Sequence, residues 1–266
     1  QRYRHLTFAE AVTALEDTHY RSPAARLHRP APAVMPPSEE WQDAAREVIE
    51  QAEECLWSSQ GEGALEYLLD KRGLEARTIR QARLGLVPGE GRQWSTIAGL
   101  SVPCGITLPW FTGETLWAVK VRRFGAEAKY GQIAGGSSGG LYGGEALVGV
   151  PAVLFTEGEF DALLTRQEAE GLVTAVTLGS ASNTLNDRWA LDLLTVPLIL
   201  VAYDADGAGM KGAARLRALS SRVHTIEVPK GKDITEFHQQ GGDVFTWLAH
   251  ELRRIRQNAI LAAAGR

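Results

Sequence analysis

The sequence has little cysteine and no long apolar segment, and both absences restrict what the protein can be. Cys55 and Cys104 are the only cysteines among 266 residues, too few for a zinc site or a disulfide framework. No stretch approaches the roughly 20 apolar residues that span a membrane, and no secretory signal is visible. The sequence therefore predicts a protein of the reducing cytoplasm, with no membrane among its partners.

The sequence also lacks an excess of positive charge. Its 28 lysines and arginines against 32 aspartates and glutamates give a net charge of −4. A nucleic-acid-binding protein of this composition needs a local basic groove, because its overall surface is not basic. The ordinary hydrophobic content of 44% predicts a globular protein, and the length suits two domains.

Proline marks the first expected domain boundary. Residues 20–37 hold five of the eleven prolines, which predicts an extended linker after a short amphipathic helix within residues 1–18. Ser38 is expected to cap a long helix, and Gly73 to end a second one in which Ala64, Leu65, Leu68 and Leu69 are buried. The expected parts are a helix and linker (1–37), an α+β subdomain (38–148), an α/β domain (149–242) and a closing helix (243–266).

Two aspartates follow a strand that is expected to be fully buried. Residues 196–202 are apolar without alternation, which is typical of a strand in a parallel sheet covered by helices. The chain then places Asp204 and Asp206 beyond the carboxyl end of this strand, where parallel sheets bind ligands. Two like charges this close favour a divalent cation between them. Taken alone, however, such a turn fits a solvated acidic loop equally well.

Further acids follow two other apolar runs, and together they favour a metal site. Glu157 comes directly after the run 151–156, and Asp233 follows the strand expected within 223–229. Four alternations of strand and helix predict a parallel sheet with helices on both faces. Because the carboxyl ends of parallel strands meet at one edge, we expect these acids to converge there.

The order of these motifs resembles a known family. Along the chain stand Glu-Gly-x-x-Asp-Ala-Leu, Asp-x-Asp-x-Ala-Gly and Gly-Lys-Asp, a series similar to the TOPRIM module of bacterial DnaG-type primases. The resemblance extends upstream through residues 64–85 and 129–143 and covers most of the chain. It implies a TOPRIM-like α/β fold preceded by a mixed α+β subdomain. It also implies DNA-templated synthesis of short RNA primers from NTPs on single-stranded DNA.

The resemblance assigns roles to the acids. Nucleotide transfer of this kind uses Mg²⁺ or Mn²⁺, and such ions prefer carboxylate oxygens. Asp204 and Asp206 are expected to be metal ligands, and Asp233 to complete a second site. Glu157 is expected either to bind metal or to act as a general acid or base. The supporting positions are Asp161, Gly158 and Gly209.

Residues 106–111 and 116–123 flank Thr112, Gly113 and Glu114, which predicts a hairpin. Basic residues at the end of its second strand and after it are expected to bind template or nucleotide. In the family, an arginine on the strand and a lysine after it contact nucleic acid or nucleotide, and Arg123 and Lys129 match these positions. Arg122 is expected on the opposite face of the same strand. Lys232, beside Asp233, could equally meet a triphosphate or pair with an acid.

The sequence departs from the family pattern at several positions. Thr235 stands where a further acid is usual, and Glu236 is the expected substitute. Ser137 and Ser138 replace a basic residue, and Gln132 stands in place of an asparagine. The zinc ligands would precede Gln1, and a helicase-binding region, through which a replicative helicase would be the partner, is expected to be absent. A phage or mobile-element origin and a truncated chain both fit these absences.

Several alternatives stay open at this point. The five basic residues between Lys71 and Arg83 fit either a solvated helical face or a template-binding rim. The Gly/Ser-rich segment 134–140 fits either a surface loop or a phosphate cradle. Two other functions compete with a primase: a TOPRIM-type metal-dependent nuclease, and a non-catalytic nucleic-acid-binding module.

Overall fold

Two β-sheets organise the part of the chain that the computed structural model describes, residues 34–147 and 149–264, with the side chains of 262–264 excepted. The amphipathic helix expected within residues 1–18, and most of the expected linker, lie outside the described residues. The described residues from Met35 onward pack into one compact unit. The domain boundaries expected within it stay a prediction.

Helix α1 (Glu39–Leu56) begins as the sequence predicts. The Ser38 hydroxyl accepts a hydrogen bond from the Trp41 backbone N–H at 3.3 Å, and Glu39 and Glu40 occupy the first turn. Such a cap satisfies a backbone donor that the first turn leaves free, and acids there complement the helix dipole. The apolar face of α1 packs against the first β-sheet through buried residues such as Val48 and Ile49.

A π-helical turn interrupts the second predicted helix. Helix α2 (Glu62–Glu66) continues into the π-helical residues Tyr67–Lys71, and α3 (Ala76–Gln81) follows after Gly73. Gly73 has a φ of +66°, the left-handed conformation expected where a helix ends. Leu68 is fully buried, but Leu69 is 38% exposed, so the prediction that Leu69 is buried was wrong. The wider π turn breaks the 3.6-residue period on which that prediction depended.

The first sheet is antiparallel and contains the predicted hairpin. Its strand order is β1 (Gly85–Val87), β4 (Gly105–Thr112), β5 (Thr115–Arg122) and β6 (Tyr130–Gln132). A separate hairpin pairs β2 (Trp94–Ile97) with β3 (Leu100–Pro103). Strands β1 to β3 were not expected from the sequence, because they are three or four residues long and carry no clear alternation.

The second sheet is parallel and confirms the predicted fold class. Its order is β10 (Val223–Thr225), β9 (Ile199–Ala202), β7 (Val153–Thr156) and β8 (Thr174–Thr177). Every residue of β7 and β9 is buried, as their unbroken apolar runs predict. The flanking helices are α4 (Glu159–Glu168), α5 (Asp187–Asp192), α6 (Gly207–Leu219), α7 (Ile234–Gln239) and α8 (Val244–Ala264). The sequence predicts a helix that starts near Met210, whereas α6 begins three residues earlier, at Gly207.

The two sheets share one hydrophobic core. Trp117 of β5 packs edge-on against Trp189 of α5, with ring centroids 6.0 Å apart. The Trp189 indole N–H donates to the Gly139 carbonyl at 2.7 Å, so the Gly/Ser-rich segment is packed at this point. Within the described residues, no helix combines the length and apolar character needed to cross a bilayer.

Candidate active site

Glu157 lies directly after strand β7, half-buried at the edge of the parallel sheet. The backbone of Asp204, which follows the neighbouring strand β9, acts on its carboxylate and lowers its pKa. Its Oε2 atom is buried and has no hydrogen-bond partner among the described residues. Burial raises the pKa of Glu157, and the charges of Asp206 and Asp161 raise it further. The strand ends therefore place Glu157 within electrostatic range of Asp204 and Asp206, and the predicted metal site stays a prediction.

Asp204 and Asp206 occupy the turn between β9 and α6, with different surroundings. Burial, together with the charges of Glu157, Asp233 and Asp206, raises the pKa of Asp204 from 3.8 to about 6. Asp206 is exposed and is the N-cap of α6, where its Oδ1 accepts from the N–H groups of Ala208 and Gly209 at 2.9 and 2.8 Å. The structural role of Asp206 thus coexists with the predicted metal-binding role, which stays a prediction.

Gly209 is required by a close approach at this turn. A Cβ atom at this position would lie 2.0 Å from the Asp204 carbonyl oxygen, so only glycine fits. At Gly158 a Cβ atom would meet nothing nearer than an Asp161 oxygen at 3.9 Å. Of the two predicted supporting glycines, Gly209 therefore has a steric reason in the described structure and Gly158 does not.

Asp233 and Asp161 lie near the same edge of the parallel sheet. The acids at this edge (Glu157, Asp161, Asp204, Asp206 and Asp233) are called the acidic edge below. Asp233 is the N-cap of α7, and its Oδ1 accepts from the Glu236 N–H at 2.7 Å. Asp161, in the first turn of α4, accepts from the N–H and the hydroxyl of Thr235 at 2.9 and 2.7 Å. Burial and the charge of Asp233 raise the pKa of Asp161 to about 6, although the Thr235 bonds oppose this. Thr235 thus donates hydrogen bonds where the family would place another carboxylate.

The residues beside Asp233 show how the loop is held. The Lys232 ammonium lies 3.8 Å from Asp233 Oδ2, so Lys232 pairs with an acid, and its charge also lowers the pKa of Asp204. Glu236 Oε2 accepts from the Lys232 N–H at 2.9 Å, and Oε1 accepts from Gln240 at 3.3 Å. Both carboxylate oxygens of Glu236 are engaged by its own turn. The expectation that it substitutes for the missing acid stays a prediction.

The acidic edge fits a hard divalent cation. Glu157 and Asp204 share a partly desolvated space, have raised pKa values, and include a buried oxygen without a hydrogen-bond partner. A cation with oxygen preference, such as Mg²⁺, would relieve this repulsion and satisfy that oxygen. Across residues 34–147 and 149–264, however, no three His, Cys, Asp or Glu side chains lie close enough to form a complete ligand set. Substrate phosphates and water ordinarily supply the remaining ligands of Mg²⁺.

The predicted basic residues lie at the end of strand β5 and in the loop after it. The Arg122 guanidinium donates to the Lys129 carbonyl at 3.1 Å and lies 5.3 Å from the Tyr130 ring. Arg123 donates from Nε to the Gly91 carbonyl at 2.6 Å, so it fixes the loop before β2. Lys129 is exposed. Arg122 and Lys129 thus keep charge near the surface, whereas Arg123 has a structural contact.

Sequence reasoning missed a buried ion pair between the two sheets. The Lys120 ammonium of β5 lies 2.8 Å from Glu159 Oε1 at the start of α4 and donates to the Gly179 carbonyl at 3.0 Å. The side chain of Glu159 is only 2% exposed. The available signal was an extra acid two residues after Glu157 and a lysine two residues before Arg122, but nothing in the sequence pairs them. This contact ties the strand end that holds Glu157 to the antiparallel sheet.

Arg72 also belongs to the surroundings of the acids. Its guanidinium lies 4.5 Å from the Phe160 ring centroid, and its charge lowers the pKa of Asp161. Its Nε donates to the Tyr67 hydroxyl at 2.8 Å. Arg72, one of the five basic residues between Lys71 and Arg83, is therefore directed towards the acidic edge, and the template-rim interpretation stays a prediction.

Comparisons with known proteins agree with this arrangement. Residues 154–238, which contain all the acids described above, match a family model described as Toprim-like. No curated protein sequence matches the chain significantly.

Solved structures extend the likeness to both sheets. A fragment of Aquifex aeolicus primase with zinc-binding and RNA polymerase domains is 21% identical, with a TM-score of 0.60, over 83% of this chain and 61% of that one. The RNA polymerase domain of Mycobacterium tuberculosis primase DnaG, in complex with DNA bearing a 6-nucleotide overhang, is 16% identical over 81% of each chain, with a TM-score of 0.63. A DNA primase domain from Pseudomonas aeruginosa is 22% identical over 78% and 76%, with a TM-score of 0.63.

The fold is that of primase RNA polymerase domains. The chain spans about three-fifths of the Aquifex fragment, which also includes a zinc-binding domain by its description. The resemblance read from the sequence is thus confirmed for the fold, including the α+β part that precedes the Toprim-like residues.

Proposed function

We propose that the chain is the catalytic core of a DNA primase, which joins NTPs into a short RNA primer on a single-stranded DNA template. The observation that supports this most is the approach of Glu157 to Asp204 at the edge of a sheet with the primase fold. The antiparallel sheet beside it carries positive charge at Arg122, and the loop after β5 carries Lys129. Such charges are needed to bind the phosphate backbone of a template. We also propose that the protein acts in the cytoplasm, with a replicative helicase as a further partner.

The acids have a defined task in this reaction. Glu157, Asp204, Asp206 and Asp233 would hold Mg²⁺ or Mn²⁺ together with the nucleotide phosphates. A divalent cation bound there supplies charge stabilisation for the attacking and leaving oxygens of nucleotide transfer. The capping bonds at Asp206 and Asp233 fix the carboxylates on rigid helix starts, which preserves their positions before substrate arrives.

Other residues of the chain bind substrate and handle the proton. Lys232, beside Asp233, can exchange its ion pair for a triphosphate oxygen, since the side chain is 73% exposed. In the alternative in which Glu157 does not bind the cation, its raised pKa suits it to accept the proton of the primer 3′-hydroxyl. Lys129 would contact the template backbone, and Arg122 would face the nucleotide or the template.

Primer synthesis on single-stranded DNA tests this proposal. The protein is incubated with a single-stranded template, labelled NTPs and Mg²⁺ or Mn²⁺, in parallel with the Asp204→Asn variant. New oligonucleotides in the wild-type reaction that disappear with Asp204→Asn are the expected result. Degradation of the template would instead identify a nuclease. Binding of the template with neither outcome would identify a non-catalytic module, and both results contradict the proposal.

A further inference from the structure

An open groove lies beside the acidic edge, on the side of the helical residues before β1. Its volume is about 580 Å³, within the roughly 300–1,000 Å³ typical of sites for small organic groups. Its walls come from the turn before α2, the π turn, the end of β1 and the loop after β5. The lining includes Gln60, Ala64, Tyr67, Leu86, Pro88 and Phe124.

Two aromatic rings form one wall of this groove. The rings of Tyr67 and Phe124 meet edge to face, with centroids 5.0 Å apart and an interplanar angle of 87°. Phe124 is 39% exposed although it is a large apolar side chain. Exposed aromatic faces are what single-stranded nucleic acids stack on, because every base has a π face.

An arginine lies next to each of the two rings. The Arg122 guanidinium lies 5.8 Å from the Phe124 ring centroid, and that of Arg72 lies 5.3 Å from the Tyr67 ring centroid. Cations next to aromatic rings match a strand that alternates negative phosphates with flat bases. The charge around the groove is therefore complementary to a nucleic-acid strand.

The wall of the groove packs against the start of α4, which carries Asp161. The Tyr67 ring also meets the Phe160 ring edge to face at 6.4 Å, and Phe160 directly precedes Asp161. Arg72 contacts both rings and acts on the charge of Asp161. Tyr67 itself lies in the π-helical turn, a distortion that often marks functional positions. Tyr67 therefore lies between the groove and the helix turn that carries Asp161.

We propose that this groove is a subsite for one unstacked base of the single-stranded DNA template, which stacks on the exposed ring of Phe124 beside Tyr67. This inference depends on the proposed primase function and adds to it the place where a template base is held. The lining of the groove includes neither Lys232 nor any of the acids that are proposed to meet the triphosphate of an incoming nucleotide. The template strand remains the occupant that fits the groove.

Binding measurements with the full chain test this subsite. The affinity for single-stranded oligonucleotides of about ten nucleotides is measured by fluorescence anisotropy, with one position after another made abasic. The wild type is expected to lose affinity at one abasic position. Phe124→Ala is expected to weaken binding to the intact oligonucleotide by roughly 5- to 100-fold, the factor that stacking of one base is worth. The same variant should show no further loss at the sensitive abasic position.

Phe124→Leu is the matched control, because leucine keeps an apolar contact with Tyr67 but has no ring. It should fold with an unchanged melting temperature and still bind single strands as weakly as Phe124→Ala. Full binding by Phe124→Leu, or an undiminished abasic penalty in either variant, would overturn the subsite. Loss of free-NTP binding with intact DNA binding would overturn it as well, since it would assign the groove to the incoming base.

The outcomes separate this inference from the proposed function. Wild-type protein that makes primers, together with Phe124 variants that bind DNA normally, contradicts only the subsite. Wild-type protein that neither binds single-stranded DNA nor makes primers contradicts both.

Discussion

The two sheets differ in how they bring functional residues together. The parallel sheet collects the carboxyl ends of β7 and β9 at one edge, so acids 47 residues apart in the chain (157 and 204) become neighbours through topology alone. The antiparallel sheet brings Arg122 beside Lys129 through the local turn between β5 and β6. Negative charge therefore accumulates from distant segments, and positive charge from a single hairpin.

The acids and the basic residues are therefore expected to have different roles. The acids sit on helix caps and strand ends, in partly buried positions that raise the pKa of Glu157 and Asp204. The basic residues near β5 and β6 lie nearer the surface, where screening weakens each contact. We therefore expect the acidic edge to determine the rate of the chemical step. Arg122 and Lys129 are expected to determine the affinity for nucleic acid and the dependence of this affinity on salt.

The largest expected effect comes from the acidic edge. Glu157→Gln should lower primer synthesis by roughly 1,000-fold or more, because several kcal/mol of charge stabilisation are lost. The same change should raise the melting temperature in the absence of metal, since it removes one of the mutually repelling charges. Primer yield and thermal unfolding are measured on the same preparation.

Glu170→Gln is the control for this change. Glu170 lies just after α4, and among the described residues its carboxylate pairs with Arg77 in an exposed ion pair. It should leave both quantities unchanged. Equal losses of activity in the two variants would mean that the acidic edge has no special role.

The ion pair between the sheets should give the largest effect on stability. Lys120→Met leaves the Glu159 carboxylate buried without its partner and should lower the free energy of unfolding by about 3 kcal/mol. The double variant Lys120→Met with Glu159→Gln should recover most of this loss, as measured by urea denaturation. A double variant as unstable as the single one would show that Lys120 acts through packing and not through the pair.

The basic residues near β5 and β6 should determine how strongly DNA binding depends on salt. Lys129→Ala should weaken single-stranded DNA binding about equally for all sequences and reduce the slope of log affinity against log salt by about 1. Lys211→Ala, an exposed lysine of α6, is the control and should leave the slope unchanged. An unchanged slope for Lys129→Ala would remove this residue from the template path.

The smallest expected effect is on pH dependence. Because the pKa of Asp204 is raised from 3.8 to about 6, the folded chain holds more of this proton than the unfolded chain between these values. The stability of the metal-free wild type relative to Asp204→Asn should therefore fall as the pH rises from about 4 to about 6 and stay constant above. A relative stability that rises through this window would contradict the repulsion described at the acidic edge.

Sequence reasoning predicted the parallel sheet well because its signals are local. Apolar runs without alternation mark β7 and β9. Glu157 follows β7 directly and Asp204 follows β9 after one residue, so the positions of these acids followed from strand order. The cap of α1 at Ser38 and the hairpin around Gly113 were equally local signals, and both are confirmed.

The features that the sequence did not predict depend on contacts between distant elements. The spacing of apolar residues does not indicate the π turn at Tyr67, and this turn places Leu69 at the surface. The pairing of Lys120 with Glu159 needs the packing of one sheet on the other, which no spacing along the chain specifies. The groove at Phe124 likewise joins three separate segments of the chain, at 60–67, 86–89 and 124.

The most direct test of the account is the position of a bound cation. Crystals grown with Mn²⁺ would locate the ion through its anomalous scattering. The account predicts an anomalous peak in contact with carboxylate oxygens of both Glu157 and Asp204. Binding of Mn²⁺ elsewhere on the protein, with the Glu157 and Asp204 carboxylates free of metal, would contradict it.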